Sequence, residues 1–388
     1  MDKKRIEQIQ NDIKFLSDEV VKFDREKVPR LLHKTYDDKL KDKDCIYFLG
    51  SGASGGSIAF HTIKSLRTYS LNNDHWISSV AGFIVQMNGT RLFIDPGPFA
   101  LEQIHESNIE PRLIDGILVS HAHADHTIEQ SLMSVISGAG RRTGQVELIG
   151  DKTAIDGFKF RTKNRSEIII NEPLDFFYEK MLKGKKGIIL KPGKKHRVKN
   201  IEVTGTSATD IETKYNNKTI SYSIGFRFKS RGFTIGYFAD STPFKVSKEY
   251  RNAYDPTKEK AVQQMPELNT KIVKQYAGCD ILIINMNSIF DSLRPYRKMG
   301  VDGAREVLLY LKQLKKEPKI VILHHWGYNT GLTTPKIKKI LKREKCRNVR
   351  EFSAKYIQEV TDIRTVASHD LGMLQIIDKK KFKWHSEY

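Results

Sequence analysis

The chain has 388 residues and carries Lys+Arg 66 against Asp+Glu 46, a formal net charge of +20. A hydrophobic share of 39% and an aromatic share of 10% are enough for a packed core, which excludes a wholly disordered chain. The positive excess favours phosphate-rich partners and leaves the fold open.

The first 44 residues predict an amphipathic helical extension. Ile6, Ile9, Ile13, Leu16, Val20 and Phe23 recur at steps of three and four, and Pro29 ends this helix or opens a second. Its stripe can pack on the parent domain or join a second copy as a homodimer. The charged start lacks the apolar stretch of a secretory signal, and no run reaches the roughly 18 apolar residues of a membrane span. Cys45, Cys279 and Cys346 are odd in number and far apart, so they read as buried thiols in a reducing compartment. Together these features predict a soluble, cytoplasmic protein with no membrane partner.

From Cys45 to the end, short apolar runs alternate with turns. Cys45–Leu49 is strand-like and leads into a glycine-rich loop at 50–56. That loop lacks the ending of a phosphate-binding P-loop, so it reads as a tight turn lining a site. Ala81–Met87, Asn88-Gly89 and Arg91–Ile94 form a hairpin pattern. Further strands are expected at 116–119, 201–204, 222–228, 233–238, 281–284 and 320–323, and helices at 298–315 and 334–343. Hairpins first and interleaved helices later argue an α/β layered class, with α+β character.

Chemistry concentrates in Ser120-His121-Ala122-His123-Ala124-Asp125-His126, directly after the strand at 116–119. Three imidazoles and a carboxylate in six residues suit divalent metal. His121 and His123 can face one ion while Asp125 and His126 turn toward a second.

This HxHxDH segment resembles the signature of the metallo-β-lactamase superfamily. Arg91–Gly97 with Asp95, Ile235–Pro243 with Asp240, and Val321–Gly327 with His324 and His325 resemble its other motifs in order. Phe48–Gly55 and Ala239–Pro243 are similar to the ribonuclease Z-like branch. The resemblance implies an αββα sandwich over 45–388, with insertions near 140–200 and 241–277, and hydrolysis of phosphodiesters. It implies two divalent ions, zinc first, with manganese or iron as alternatives. His121 and His123 would hold the first, Asp125, His126 and His325 the second, and Asp240 would bridge. His324 could replace His325. Asp95 would orient a ligand imidazole. Asp125 could accept a proton, and His369 or the unused member of the His324/His325 pair could donate one.

One departure stands out. The superfamily's third-motif His has no counterpart in Val203–Glu212. Either Asp210 substitutes for it or Ala208 leaves that position open, and the nearby His196 lies in a Lys-rich loop. The basic segment at 180–199 includes Lys183, Lys185, Lys186, Lys194 and Lys195 and predicts contact with a nucleic-acid or nucleotide substrate, with a second basic run at 336–350. Alternatives are hydrolysis of a small cyclic nucleotide and a degenerate nucleic-acid-binding module.

Overall fold

Alternation along the strands decides the architecture. In β1 (Cys45–Phe48) Ile46 and Phe48 join one apolar core while Cys45 and Tyr47 join another, and all four side chains are buried. A strand buried on both faces belongs to a sheet covered on both sides, which is why the run reads as continuously apolar. The computed structural model describes residues 8, 12–19, 38–52, 80–98, 100–123, 125–127, 146–156, 158–161, 167–171, 187–208, 213–215, 218–220, 223–245, 267–286, 299–327, 334–379 and 381–385.

After β1 come β2 (Phe83–Met87), β3 (Thr90–Ile94), β4 (Gly116–Val119) and β5 (Glu147–Gly150). A separate hairpin, β6 (Phe158–Arg161) with β7 (Glu167–Asn171), precedes β8 (Ile188–Ile189). β9 (Lys195–Val198) and β10 (Ile201–Ser207) are followed by the small hairpin β11 (Thr213–Tyr215) and β12 (Lys218–Ile220). Next are β13 (Ile224–Ser230), β14 (Phe233–Phe238), β15 (Ile281–Asn285), β16 (Ile320–His324) and β17 (Thr365–Ala367), then β18 (Met373–Ile376) and β19 (Phe382–His385). Two large sheets result, ordered β19-β18-β1-β2-β3-β4-β5-β8 and β17-β16-β15-β14-β13-β10-β9.

Between the sheets lies a core that takes Phe83 and Leu118 from the first and Phe226, Ile283 and Ile322 from the second. The outer face of the first sheet is covered by α1 (Ala100–Glu106) and α2 (Lys152–Asp156), through Ile104 and Ile155. The outer face of the second packs α3 (Thr270–Val273) and α4 (Val301–Gln313), with Val307 and Leu308 against Leu282 and Val321. α5 (Pro335–Glu344) packs against α6 (Val349–Thr361), whose Ala354 and Ile357 join that outer core. The order of layers is helix, sheet, sheet, helix, as the resemblance implies.

The hairpin expected at 81–94 forms, with Asn88 and Gly89 both at positive φ (50° and 71°), the turn that matches strand twist. α6 was not expected, because Arg350, Ser353 and Thr361 are polar residues buried on the face that packs inward. The stretch 187–199 is woven into both large sheets as β8 and β9 rather than standing apart. His196 therefore lies on a strand and not in a Lys-rich loop; its Nε2 contacts Glu147 on β5. Residues 38–44 also pack on the body: Leu40 is in the first sheet's outer core, and Asp38 pairs with buried Arg91 at 2.8 Å. Of the N-terminal stripe, Ile13 and Leu16 are exposed, and Ile6, Ile9, Val20, Phe23 and Pro29 lie outside the described residues. Cys45 and Cys279 are buried thiols, and Cys346 is half-buried. Among the described residues no helix is long and apolar enough to cross a membrane.

Candidate metal centre

Parallel pairing brings the polar strand ends to one rim. β3 and β4 run parallel in the first sheet, and β14, β15 and β16 run parallel in the second. Their carboxyl ends release Asp95, the 120–126 loop, Asp240 and His325 in turn. Crevices at such strand ends are where α/β sheets hold ligands.

Two groups of ligand atoms converge there: His121, His126 and Asp240, and Asp125, His126 and His325, each set within 4.8 Å. All five residues are buried, and His126 belongs to both sets. The rings of His121 and His126 are 4.1 Å apart by centroid, and those of His126 and His325 4.6 Å.

Asp95 organises the first-sheet half. Its Oδ1 accepts from the Ser120 backbone N–H at 2.6 Å, and its Oδ2 accepts from the Ser120 hydroxyl at 2.7 Å and the Tyr237 hydroxyl at 2.6 Å. The same Oδ2 lies 3.0 Å from His126 Nδ1. With Nδ1 engaged, His126 presents Nε2 to the rim, 3.5 Å from Asp125 and 3.8 Å from Asp240, and that nitrogen has no hydrogen-bond partner among the described residues. On the second-sheet side, Asn285 Nδ2 donates to Asp240 Oδ1 at 3.0 Å and to the Tyr237 hydroxyl at 2.8 Å. His325 Nε2 is 3.2 Å from Asp125 Oδ2. Its Nδ1 is 3.2 Å from Asp240 Oδ1 but misaligned, and makes no hydrogen bond.

A strap holds His325, whose backbone sits at φ 57°. The next residue, Trp326, donates its N–H to Ser51 O at 2.8 Å. Ser51 in turn donates to Asp370 Oδ1 through its N–H (2.8 Å) and hydroxyl (2.7 Å), and accepts from buried Arg350 at 3.2 Å.

Charge follows this geometry. Burial opposes ionisation of Asp125, but His126 and His325 outweigh it and hold its carboxyl well below the usual range. Burial would lower His126, yet Asp125, Asp95 and Asp240 raise it to about 9. Burial, with His325 and His126 beside it, keeps His324 neutral. Burial and Asp95 push the Tyr237 phenol well up, so it stays a donor.

Buried carboxylates clustered beside two imidazole nitrogens that make no hydrogen bond among the described residues are costly unless a cation completes them. The nitrogen and oxygen donors suit a divalent metal. The residues present fit a metal centre.

The sequence profile described as Beta-lactamase superfamily domain matches residues 90–326. The chain belongs to the metallo-β-lactamase superfamily. As a metallo-β-lactamase fold hydrolase it is 22% identical over 341 residues to an uncharacterized protein of Methanocaldococcus jannaschii, covering 87% of this chain and 97% of that one. Two solved structures share the fold. The metallo-β-lactamase fold protein YhfI from Bacillus subtilis aligns with TM-score 0.50 at 14% identity, over 86% of this chain and 100% of that one. Zn²⁺-bound PqqB from Methylobacterium extorquens aligns with TM-score 0.52 at 11% identity, over 86% and 100%.

Within this superfamily member the motif residues distribute as follows. His121, Asp125, His126, Asp240 and His325 meet at the rim, and Asp95 touches His126. His324 does not enter either set: its Nδ1 lies 3.1 Å from Ser368 Oγ and its ring packs on Phe48. His123 sits beside His121, Nδ1 to Nε2 at 2.8 Å, outside both sets. His369 is buried with Nε2 3.5 Å from Glu351. Ala208 is buried just past β10, while Asp210, Lys183, Lys185 and Lys186 lie outside the described residues. Lys194 and Lys195 are exposed, and Lys195 pairs with Glu202 at 3.0 Å. Sequence reasoning missed Ser120, Tyr237, Asn285 and the Ser51–Arg350–Asp370 link. Asn285 carried a usable signal, the first polar residue ending an apolar strand, as Asp95 and Asp240 are near theirs.

Proposed function

We propose that this chain is a metal-dependent phosphodiesterase acting on RNA or another nucleic acid. The observation that carries the reading is the pair of buried ligand sets sharing His126, in a chain of net charge +20. A metal pair there, zinc by the donor set with manganese or iron if Asp210 contributes, would supply Lewis acidity and an activated water. His121, His126, Asp125, Asp240 and His325 hold the site, with His123 beside His121. Asp95 fixes His126 by its Nδ1 contact, so that Nε2 faces the rim. Asp125 Oδ2, ionised and at the rim, would accept the proton of an attacking water and release it to solvent. The leaving oxygen would take its proton from solvent or from His369, which would be reprotonated from solvent in turn. The net positive charge of the chain favours association with a polyanion.

The test compares chelated and metal-reloaded protein on an RNA with a 3′ extension, a 3′,5′-cyclic nucleotide and a thioester. Metal-dependent RNA cleavage that weakens steeply with salt is the expected result. Cleavage of the cyclic nucleotide alone transfers the reading to small phosphodiesters. Cleavage of the thioester alone, or of nothing, overturns it.

A further inference from the structure

The strongest feature that the metal centre does not use is α5. At 100° per residue, Ile337, Ile340, Leu341 and Glu344 fall on one half of this helix, and Leu341 is buried. The other half carries Lys336, Lys338, Lys339, Lys342 and Arg343, with Lys345 at its end, and all six are exposed. Lys336, Lys339, Lys342 and Lys345 make no ion pair among the described residues. Like charges stand at helical neighbour spacing in Lys338–Lys342 and Lys339–Arg343, an arrangement that opposes the helix. Around β9, by contrast, Lys195 is tied to Glu202 and Lys199, just past the strand, to Asp115.

The helix is also chained to the rim. Its end runs through 346–347 into Asn348, which caps α6 by accepting from Glu351 N–H at 2.9 Å. Arg350, in the first turn of α6, reaches Ser51 at 3.2 Å, and Ser51 holds Trp326, the neighbour of His325.

We propose that the outward face of α5 is a docking surface for the phosphate backbone of RNA and leads it toward the metal rim. The proposal rests on the nucleic-acid reading above and names the surface that grips the strand. A helix of this length offers about 15 Å of track. Recognition is by charge, with no base contact implied, so binding is insensitive to sequence and strongly salt-dependent.

The test measures anisotropy of a labelled, hydrolysis-resistant phosphorothioate oligouridylate with metal-loaded full-length protein across a salt series. The variant is Lys336→Ala/Lys339→Ala/Lys342→Ala, and alanine keeps the helix favourable. Circular dichroism and metal stoichiometry check that it is folded. The log–log salt slope is expected to fall by about 2, from about 0.7 per lost contact, with weaker binding at every salt concentration. A Lys194→Ala/Lys195→Ala variant is expected to change the slope less. An unchanged slope and affinity in the triple variant overturns the α5 assignment and leaves the phosphodiesterase reading standing. Wild-type protein that binds phosphatidylserine vesicles but not the oligonucleotide overturns it in favour of a membrane surface. Failure to bind RNA together with hydrolysis of a cyclic nucleotide overturns both.

Discussion

The two sheets deliver their halves of the metal centre by different means. The first sheet places His121, Asp125 and His126 in one loop after β4, and Asp95 pins that loop through Ser120 and His126. The second places Asp240 and His325 singly, after β14 and β16, and each depends on partners brought from elsewhere: Asn285 for Asp240, and the Ser51–Trp326 strap beside His325. A compact loop can be organised by one carboxylate. Isolated ligands need the whole fold to hold them. Tyr237 joins the halves, donating to Asp95 and accepting from Asn285.

The sharpest way to break this contrast is at the shared ligand. His126→Ala is expected to leave metal content far below stoichiometric and hydrolysis at background, measured by elemental analysis and the RNA assay. If His126→Ala keeps its metal, the two sets are independent. Next come the supports. Asp95→Asn is expected to weaken metal affinity by roughly 100-fold and Asn285→Ala by roughly 10-fold, within the range seen for groups that orient ligands. Chelator competition reads both, and a reversed order would place the weak half in the first sheet.

A pH effect separates the halves further. Burial alone would raise Glu351, but hydrogen bonds from His369 and Arg347 outweigh it and bring the carboxyl from 4.5 to about 2. A depressed carboxyl contributes stability that is present above its unfolded value and lost as pH falls through the folded one. Between pH 4.5 and 2 the wild type should therefore lose stability more steeply than Glu351→Gln, as followed by urea unfolding at several pH values. The smallest effect is expected in the first sheet's hairpin. Gly89 has φ 71° and nothing within 4 Å of an added Cβ. Gly89→Ala thus meets only backbone strain, about 1 kcal/mol in urea unfolding.

What was legible in the sequence follows the same division. The 120–126 loop could be read because its ligands are neighbours in the chain, and the hairpin at 83–94 because Asn-Gly specifies its turn. The apolar runs revealed β14, β15 and β16, since burial on both faces leaves no polar interruption. Tyr237 and the Ser51–Arg350 contact could not be read, because their roles exist only after distant strands align. His126 was assigned to a single ion, since spacing along a loop does not show that one ring stands between two ligand sets. α6 was hidden for a related reason: Arg350 sits on its inward face to reach Ser51, which blurs the apolar stripe.

The closing strands carry a consequence for how the molecule is made. β18 pairs with β1, Cys45 opposite Gln375 and Tyr47 opposite Met373, and β19 pairs in turn with β18. One flank of β1 thus stays open while the ribosome adds more than three hundred residues, and the sheet that bears the histidine-rich loop is sealed only once β18 and β19 have followed. Such sequence-distant pairing slows folding and leaves a sticky margin on the nascent chain, so the sheet bearing the loop closes only after every ligand, His325 included, has been made.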